Sequence, residues 1–237
     1  MTARKDINRS EGTNMRVNVL QHTPNEGPGS IGEWSQQQGH ELYIYHPYQF
    51  NGNLPVVEET DLLIILGGPM SPNDSLDWIL KEQELIKACI SRHIPIFGAC
   101  FGAQQIAKSL GCRISKATYK EVGWAPVYLQ SSLISTLPQK LTALHWHEEM
   151  FDIPEGFSLL FSSDLFMNQG FIRDNILGLQ FHFEPLPDNV REIVINDGDY
   201  AREENALQQT PDDILRHGVP LINRQVMFQL LDYICSV

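Results

Sequence analysis

The chain lacks the sequence features that mark membrane, secreted and nucleic-acid-binding proteins. None of its apolar runs approaches the roughly 18 residues needed to span a bilayer, and residues 1–14 are polar, without the apolar core of a signal peptide. Lys and Arg number 17 against 29 Asp and Glu, and the resulting net charge of -12 predicts no basic face for a polyanion. We therefore expect a cytoplasmic protein that binds neither membranes nor nucleic acids.

Cysteine and cofactor motifs are also scarce. The four cysteines show no paired spacing, which indicates reduced thiols rather than a disulfide framework; they are Cys89, Cys100, Cys112 and Cys235. No Gly-x-x-x-x-Gly-Lys-[Ser/Thr] phosphate loop is present. His145 and His147 alternate on one face of a predicted strand, but the sequence offers no clear third ligand, so no metal is expected. We predict chemistry carried by side chains alone, without a cofactor.

The order of strands and helices predicts one α/β domain over residues 15–237, preceded by a polar tail at residues 1–14. From residue 16 to Gly111, short apolar strands alternate with amphipathic helices, a pattern typical of a mostly parallel sheet with helices on both faces, a flavodoxin-like three-layer sandwich. After Gly111 the pattern predicts a small antiparallel extension with strands at 125–129, 141–146, 158–162 and 170–173. Helices are expected near 189–196 and 224–235, separated by an acidic, poorly periodic stretch at 197–213.

One segment has the form of a nucleophile elbow. The apolar run 94–97 leads directly into Gly98-Ala99-Cys100-Phe101-Gly102, and the next residues read as a helix that stops at Gly111. Glycines two positions either side of the reactive residue are needed because a side chain there would collide with neighbouring backbone. The start of the helix favours a thiolate through its partial positive charge. Cys100 is the predicted nucleophile.

A base and an oxyanion hole can be assigned from two other segments. Residues 176–185 read as a strand ended by Pro185, on which His182 and Glu184 share a face, so His182 can accept the thiol proton while Glu184 orients the imidazole. A buried-looking strand at 61–66 runs into two glycines. The backbone N–H groups of Gly68 and Phe101 are therefore the predicted donors to an oxyanion.

Together these pieces resemble the class I glutamine amidotransferases, which use a Cys-His-Glu set to hydrolyse the side-chain amide of glutamine. The elbow and Gln104 resemble the family's Gly-x-Cys-x-Gly-x-Gln, and Gly67-Gly68-Pro69 resembles its oxyanion loop. His182-Phe183-Glu184 matches its His-Pro-Glu motif, except that Phe183 replaces the proline. The resemblance covers roughly residues 15 to 190 and is greatest to stand-alone proteins similar to the amidotransferase part of GMP synthase.

The resemblance also implies residues that bind the substrate. Gln104 would help to hold it, and Gly67 and His147 would contribute to its pocket. His147 is followed by Glu148 and Glu149, where the family often has Ser or Gly-Asp. Glu121 is either a contact for the substrate's amino group or an ordinary exposed carboxylate.

Three functions are consistent with these residues. The first is a glutaminase that releases ammonia through a Cys100 γ-glutamyl thioester and delivers it to a separate synthetase partner. The second is a self-sufficient γ-glutamyl hydrolase or peptidase acting on small γ-glutamyl compounds. The third is a non-enzymatic member that only binds ligand, an alternative kept open by Phe183 beside His182.

Overall fold

The computed structural model describes residues 14–49 and 52–237, and a nine-stranded sheet forms the centre of this part of the chain. Of the polar tail predicted at residues 1–14, Asn14 alone lies among the described residues. The strands are β1 (Arg16–Leu20), β2 (Glu41–Tyr45), β3 (Leu62–Ile65), β4 (Ile96–Ala99), β5 (Ile114–Leu129), β6 (Lys140–Phe151), β7 (Ser158–Ser163), β8 (Gly170–Arg173) and β9 (Ile176–Leu179). The helices are α1 (Ser30–Gln38), α2 (Asp77–Ser91), α3 (Phe101–Ser109), α4 (Pro187–Arg202), α5 (Pro211–His217) and α6 (Leu221–Ser236).

The sheet is mixed, so the prediction of a mostly parallel sheet is wrong. Its strand order is β2-β1-β3-β4-β9-β8-β7-β5-β6. Pairing is parallel from β2 through β9 and antiparallel from β9 through β6. The antiparallel part is not a small extension, because β5 and β6 alone span 16 and 12 residues. The first half of β5 is mostly polar and partly exposed, and this segment is held by pairing with β6 rather than by an apolar pattern that the sequence could reveal.

Helices cover both faces of the parallel half of the sheet, as the alternation of elements predicted. Leu62 and Ile64 of β3 point into a core shared with α1 and α6. Leu63 and Ile65 point into a second core shared with α2 and α3. A strand buried on both faces reads as an unbroken apolar run, and this is how β3 appears in the sequence.

The helices α4 and α5 pack against the antiparallel half of the sheet. They form a third apolar cluster with Trp124 of β5 and Trp146 of β6. The helix predicted at 189–196 begins at Pro187, and α4 continues to Arg202 across a kink at Asp197, whose backbone is not helical. The helix α5 occupies part of the stretch predicted to be irregular. The start of α5 carried a signal in the sequence: Thr210 and Asp213 form a capping box around Pro211. Among the described residues, no helix combines the length and apolar character that crossing a membrane requires.

Candidate functional site

Cys100 lies on a sharp turn between β4 and α3. Its φ of +50° is rare for a residue with a side chain, and its backbone N–H donates to the Leu179 carbonyl of β9 at 2.8 Å. A Cβ on Gly98 would lie 2.6 Å from the carbonyl carbon of Gly102, and a Cβ on Gly102 would lie 2.0 Å from the carbonyl oxygen of Ile65. Both flanking positions therefore require glycine, and the turn presents the Cys100 side chain at the carboxyl edge of the sheet.

His182 reaches the same edge by a different backbone route from the one predicted. The strand expected to run from 176 to 184 ends at Leu179, so the prediction of a single strand through Glu184 is wrong. His182 instead forms an isolated bridge to Leu144 of β6, with its N–H donating at 2.9 Å and its carbonyl accepting at 3.3 Å. Its Nδ1 lies 2.5 Å from Oε1 of Glu184, and both side chains are buried. The structure thus brings His182 and Glu184 together without a continuous strand.

The charges of this group favour a protonated imidazole. Burial acts to lower the pKa of His182, but the carboxylate of Glu184 and the hydrogen bond with the Cys100 thiol outweigh it, and the pKa lies well above its usual value. Burial raises the pKa of the Cys100 thiol, and the hydrogen bond with His182 opposes this rise. The thiol Sγ also lies 3.7 Å from the Trp146 carbonyl oxygen. His182 is therefore placed to exchange a proton with Cys100 while Glu184 stabilises its cation.

The position of Glu184 depends on the turn that begins α1. The Ser30 N–H donates to the Glu184 carbonyl at 2.8 Å. Gly29, with φ of +49°, packs so closely that an added Cβ would lie 2.2 Å from the same carbonyl oxygen. The Pro/Gly-rich loop after β1 therefore holds the backbone of Glu184 in place.

The predicted oxyanion loop follows β3 and rests on a buried polar pair. His22 Nδ1 lies 3.1 Å from the Leu66 carbonyl oxygen, and His22 Nε2 lies 2.9 Å from Oε2 of Glu82. A Cβ on Gly68 would lie 2.7 Å from Cβ of His22. Sequence reasoning missed His22 and Glu82, since they are 60 positions apart and neither stands in a recognisable motif. At Phe101, the first residue of α3, the N–H has no acceptor within its own helix and can serve a ligand.

A cavity of about 520 Å³ opens beside Cys100. Gly68, Gln104 and His147 line it. Gly67 lies behind the lining, where an added Cβ would lie 2.0 Å from Oε2 of Glu26 and 3.1 Å from Cε1 of His182. A larger hollow of about 1100 Å³ lies between β5 and the segment after α4, and none of the predicted site residues lines it.

The lining of the cavity beside Cys100 is acidic, a feature that sequence reasoning missed. Five carboxylates contribute to it: Glu26, Asp74, Glu148, Glu149 and Asp197. The basic residue among its described lining, Lys116, lies 3.3 Å from Glu148 and is paired with it. Burial raises the pKa of both Glu26 and Glu149. A positively charged group in this cavity would therefore be favoured, and its arrival would promote ionisation of the two raised carboxyls.

Phe183, which replaces the proline of the resembled motif, packs in the apolar core. Its ring is 1% exposed and packs edge-on against Phe161 and Phe181, with centroid separations of 5.9 and 4.8 Å. His182 and Glu184 on either side of it remain in contact. Phe183 therefore contributes to core packing, and the contact between His182 and Glu184 is kept.

Glu121 and His145 belong to a buried cluster rather than to the cavity lining. Glu121 is 1% exposed, so the expectation of an exposed carboxylate is wrong, and it does not line the cavity beside Cys100. Glu121 lies close to His145 and His147. It is therefore the third potential metal ligand, which the sequence did not reveal. The signal that could have found it is the pairing of β5 with β6, which places Glu121 opposite His147.

Comparison with known proteins agrees with this fold. The family model for glutamine amidotransferase class-I matches residues 33–197. The glutamine amidotransferase-like protein YfeJ of Salmonella typhimurium is 28% identical over 181 residues, covering 72% of this chain and 76% of YfeJ. One subunit of the glutamine-hydrolyzing GMP synthase of Sulfolobus acidocaldarius is 32% identical over 133 residues, covering 54% of this chain and 69% of that protein.

A solved structure shows the same fold. The crystal structure of a glutamine amidotransferase from Thermotoga maritima superposes with a TM-score of 0.86 at 24% identity, covering 95% of this chain and 100% of that one. The fold and the matched family model define an α/β protein of the amidotransferase class. The chain belongs to the class I glutamine amidotransferase family.

Proposed function

We propose that this protein hydrolyses the side-chain amide of glutamine through a γ-glutamyl thioester on Cys100. The observation that carries the proposal is the cavity beside Cys100, next to a buried His182–Glu184 pair 2.5 Å apart. A cysteine, a histidine and an orienting carboxylate in mutual contact can generate a thiolate, shuttle its proton and stabilise the resulting cation.

In the proposed reaction, the thiol proton resides on His182 as an imidazolium that Glu184 stabilises, and the Cys100 thiolate attacks the side-chain carbonyl carbon. The N–H groups of Gly68 and Phe101 stabilise the tetrahedral oxyanion, a contribution of about 2.7–4 kcal/mol for each donor. The His182 imidazolium then protonates the departing nitrogen, and ammonia leaves. Water activated by the same imidazole cleaves the thioester and releases glutamate, which restores the thiol. Gln104, buried and with its side chain contacting the Glu149 carbonyl and Gln180, would hold the substrate's amino-acid end.

The destination of the ammonia is proposed from the relatives. Among them is one subunit of a glutamine-hydrolyzing GMP synthase, and its name implies that a second polypeptide completes the synthase. We therefore propose that ammonia passes to a synthetase partner that activates an acceptor.

The acidic cavity favours a second candidate, a self-sufficient γ-glutamyl hydrolase. Four carboxylates besides Glu26 surround a space of about 520 Å³, a volume within the range of pockets that hold drug-sized ligands. A γ-glutamyl amide whose leaving amine carries a positive charge would fit the charge of this lining. The same Cys100 thioester would form, with the amine leaving in place of ammonia.

Covalent labelling tests the site and its substrate class. The purified protein is incubated with a chloroketone or diazoketone analogue of glutamine, and adducts are mapped by mass spectrometry. We expect an adduct on Cys100 that excess glutamine prevents, and loss of turnover in Cys100→Ser. Alkylation of the half-buried Cys112 by iodoacetamide serves as the reactivity control. An unlabelled Cys100 beside an alkylated Cys112 would contradict a glutamine site at this cysteine.

Turnover assays separate the two candidates. Ammonia released from glutamine in the presence of a synthetase supports the first. Amine released from γ-glutamyl amides by the isolated chain, at a rate well above glutamine hydrolysis, supports the second. Turnover of both classes by Cys100→Ser would contradict either mechanism.

A further inference from the structure

The buried cluster of Glu121, His145 and His147 has the composition of a metal site. The three residues come from adjacent strands: Glu121 of β5 lies directly opposite His147 of β6, and His145 is two positions along on the same face. Their side chains are 0–2% exposed. One potential ligand atom from each lies within 4.8 Å of the other two. Two imidazoles and one carboxylate are a ligand set that proteins use for zinc.

The distances within the cluster match the edges of a zinc tetrahedron. Oε2 of Glu121 lies 3.1 Å from Nε2 of His147 and 3.4 Å from Nδ1 of His145. Ligand atoms about 2.0–2.1 Å from a tetrahedral zinc ion are about 3.3–3.4 Å from one another. Two of the three protein edges therefore need little adjustment to accept the ion.

The hydrogen bonds around the cluster leave its imidazole nitrogens available. Within the described part of the chain, neither ring nitrogen of His145 or of His147 has a hydrogen-bond partner of favourable geometry, although all four atoms are buried. Glu121, by contrast, is oriented by two donors: the Ser163 hydroxyl at 3.2 Å from Oε1 and the Gln169 amide at 2.5 Å from Oε2. The carboxylate of Glu121 thus has its outer hydrogen bonds in place, and it lies against two imidazoles for which the described residues offer no other hydrogen-bond partner.

We propose that Glu121, His145 and His147 bind a divalent first-row transition ion, with Zn²⁺ as the expected occupant. Imidazole nitrogen and carboxylate oxygen together suit Zn²⁺ better than Mg²⁺ or Ca²⁺, which prefer oxygen ligands alone. His147 also lines the cavity beside Cys100, so the cluster borders that cavity. The site is distinct from the Cys100–His182 pair, and the proposal does not depend on the glutaminase reaction.

Zinc titration of the chelator-treated protein tests the site. Any affinity tag is removed, and ZnCl₂ is added in an isothermal titration calorimeter, with bound zinc counted by mass spectrometry after dialysis. We expect one ion per chain in the wild type and at least a tenfold loss of affinity in Glu121→Gln and in His145→Asn. His93→Asn is the matched control, because His93 is exposed and its φ of +56° is one that asparagine tolerates.

A second variant, Cys100→Ser, tests whether the zinc site is independent of the Cys100 thiol. Cys100→Ser is expected to bind zinc with unchanged affinity, since its thiol is not among the proposed ligands. X-ray absorption of zinc-loaded wild type should show nitrogen and oxygen neighbours at about 2.0–2.1 Å and no sulfur near 2.3 Å, a readout that does not require the buried variants to fold. Sulfur in the first shell, zinc uptake lost in Cys100→Ser, or no uptake by the wild type would each overturn the proposal.

Discussion

At the scale of single residues, the raised pKa of His182 depends on the carboxylate of Glu184. Glu184→Gln keeps the side-chain shape but removes the charge, so the pKa of His182 should fall. The imidazolium that protonates the leaving nitrogen would then be lost at a lower pH. We expect the alkaline limb of the profile of kcat/KM against pH to move to lower pH, with reduced activity at neutral pH. Steady-state kinetics across pH measures this, and an unmoved alkaline limb would contradict the proposed role of Glu184.

Phe183 allows a test of fold stability that is separate from the proposed reaction. Because its ring is fully enclosed by Phe161 and Phe181, Phe183→Ala should lower the free energy of unfolding by about 3–5 kcal/mol. Tyr119→Ala, at a half-exposed position, is the control and should cost far less. Denaturant unfolding measures both. A Phe183→Ala protein as stable as the wild type would show that this ring is not part of the core.

Labelling of Cys100 in a second variant, Phe183→Leu, tests whether the ring also controls the position of His182. If Phe183 serves the core alone, Phe183→Leu should retain Cys100 labelling by the glutamine analogue. Loss of labelling in a folded Phe183→Leu protein would indicate that the residue in the proline position controls His182.

At the scale of elements, the turn before α1 is predicted to control the position of Glu184. Gly29→Ala would place a Cβ 2.2 Å from the Glu184 carbonyl oxygen, so it should displace Glu184 and reduce kcat by at least about tenfold. Gly39→Ala is a matched control, since Gly39 also has a positive φ, of +73°, but an added Cβ there meets nothing within 4 Å. Kinetics and thermal unfolding of both variants measure the effect. Equal losses of kcat in the two variants would indicate backbone strain as the cause. They would contradict a specific effect of the contact between Gly29 and Glu184.

The elements also show how far the sequence could predict this molecule. The strand–turn–helix at Cys100 was predictable because the turn requires glycine at 98, where the backbone of Gly102 is close, and at 102, where β3 is close. The route of the chain through His182 was not, since an apolar run does not reveal whether it continues as a strand or ends and bridges to Leu144. The length of β5 could not be predicted either, because its polar half is held by pairing with β6 and carries no apolar pattern.

Contacts between distant segments account for what sequence reasoning missed. These are the residues His22 and Glu82, which contact each other, and the contact of Glu121 with His147 across the β5–β6 pairing. Neither pair has a spacing that a motif search would recognise. The residues that carry the proposed reaction were accessible from the sequence, while those that support them were not.

At the scale of the whole molecule, the net charge of -12 and the acidic cavity act in the same direction. The field of such a protein attracts cations over a distance set by the ionic strength, about 10 Å at 0.1 M and about 3 Å at 1 M. For the second candidate function, the γ-glutamyl amide of a diamine keeps one charged amino group. It should therefore have a higher kcat/KM than the γ-glutamyl amide of a monoamine of equal length, whose alkyl chain carries no charge. Raising the salt concentration should reduce this preference. Equal values for the two substrates at low salt would contradict a cation-selective cavity.

Glu26 should make that preference depend on pH. Burial raises the pKa of its carboxyl, so Glu26 is protonated at low pH and gains its charge as the pH rises through the raised value. We expect the ratio of kcat/KM for the cationic and neutral amides to increase with pH in the wild type and to lose that increase in Glu26→Gln. The ratio cancels any effect that Glu26 has on the shared chemistry of Cys100 and His182. Glu155→Gln, at an exposed position outside the cavity lining, should keep the wild-type trend, and a ratio that rises equally in Glu26→Gln would assign the cation preference to other carboxylates.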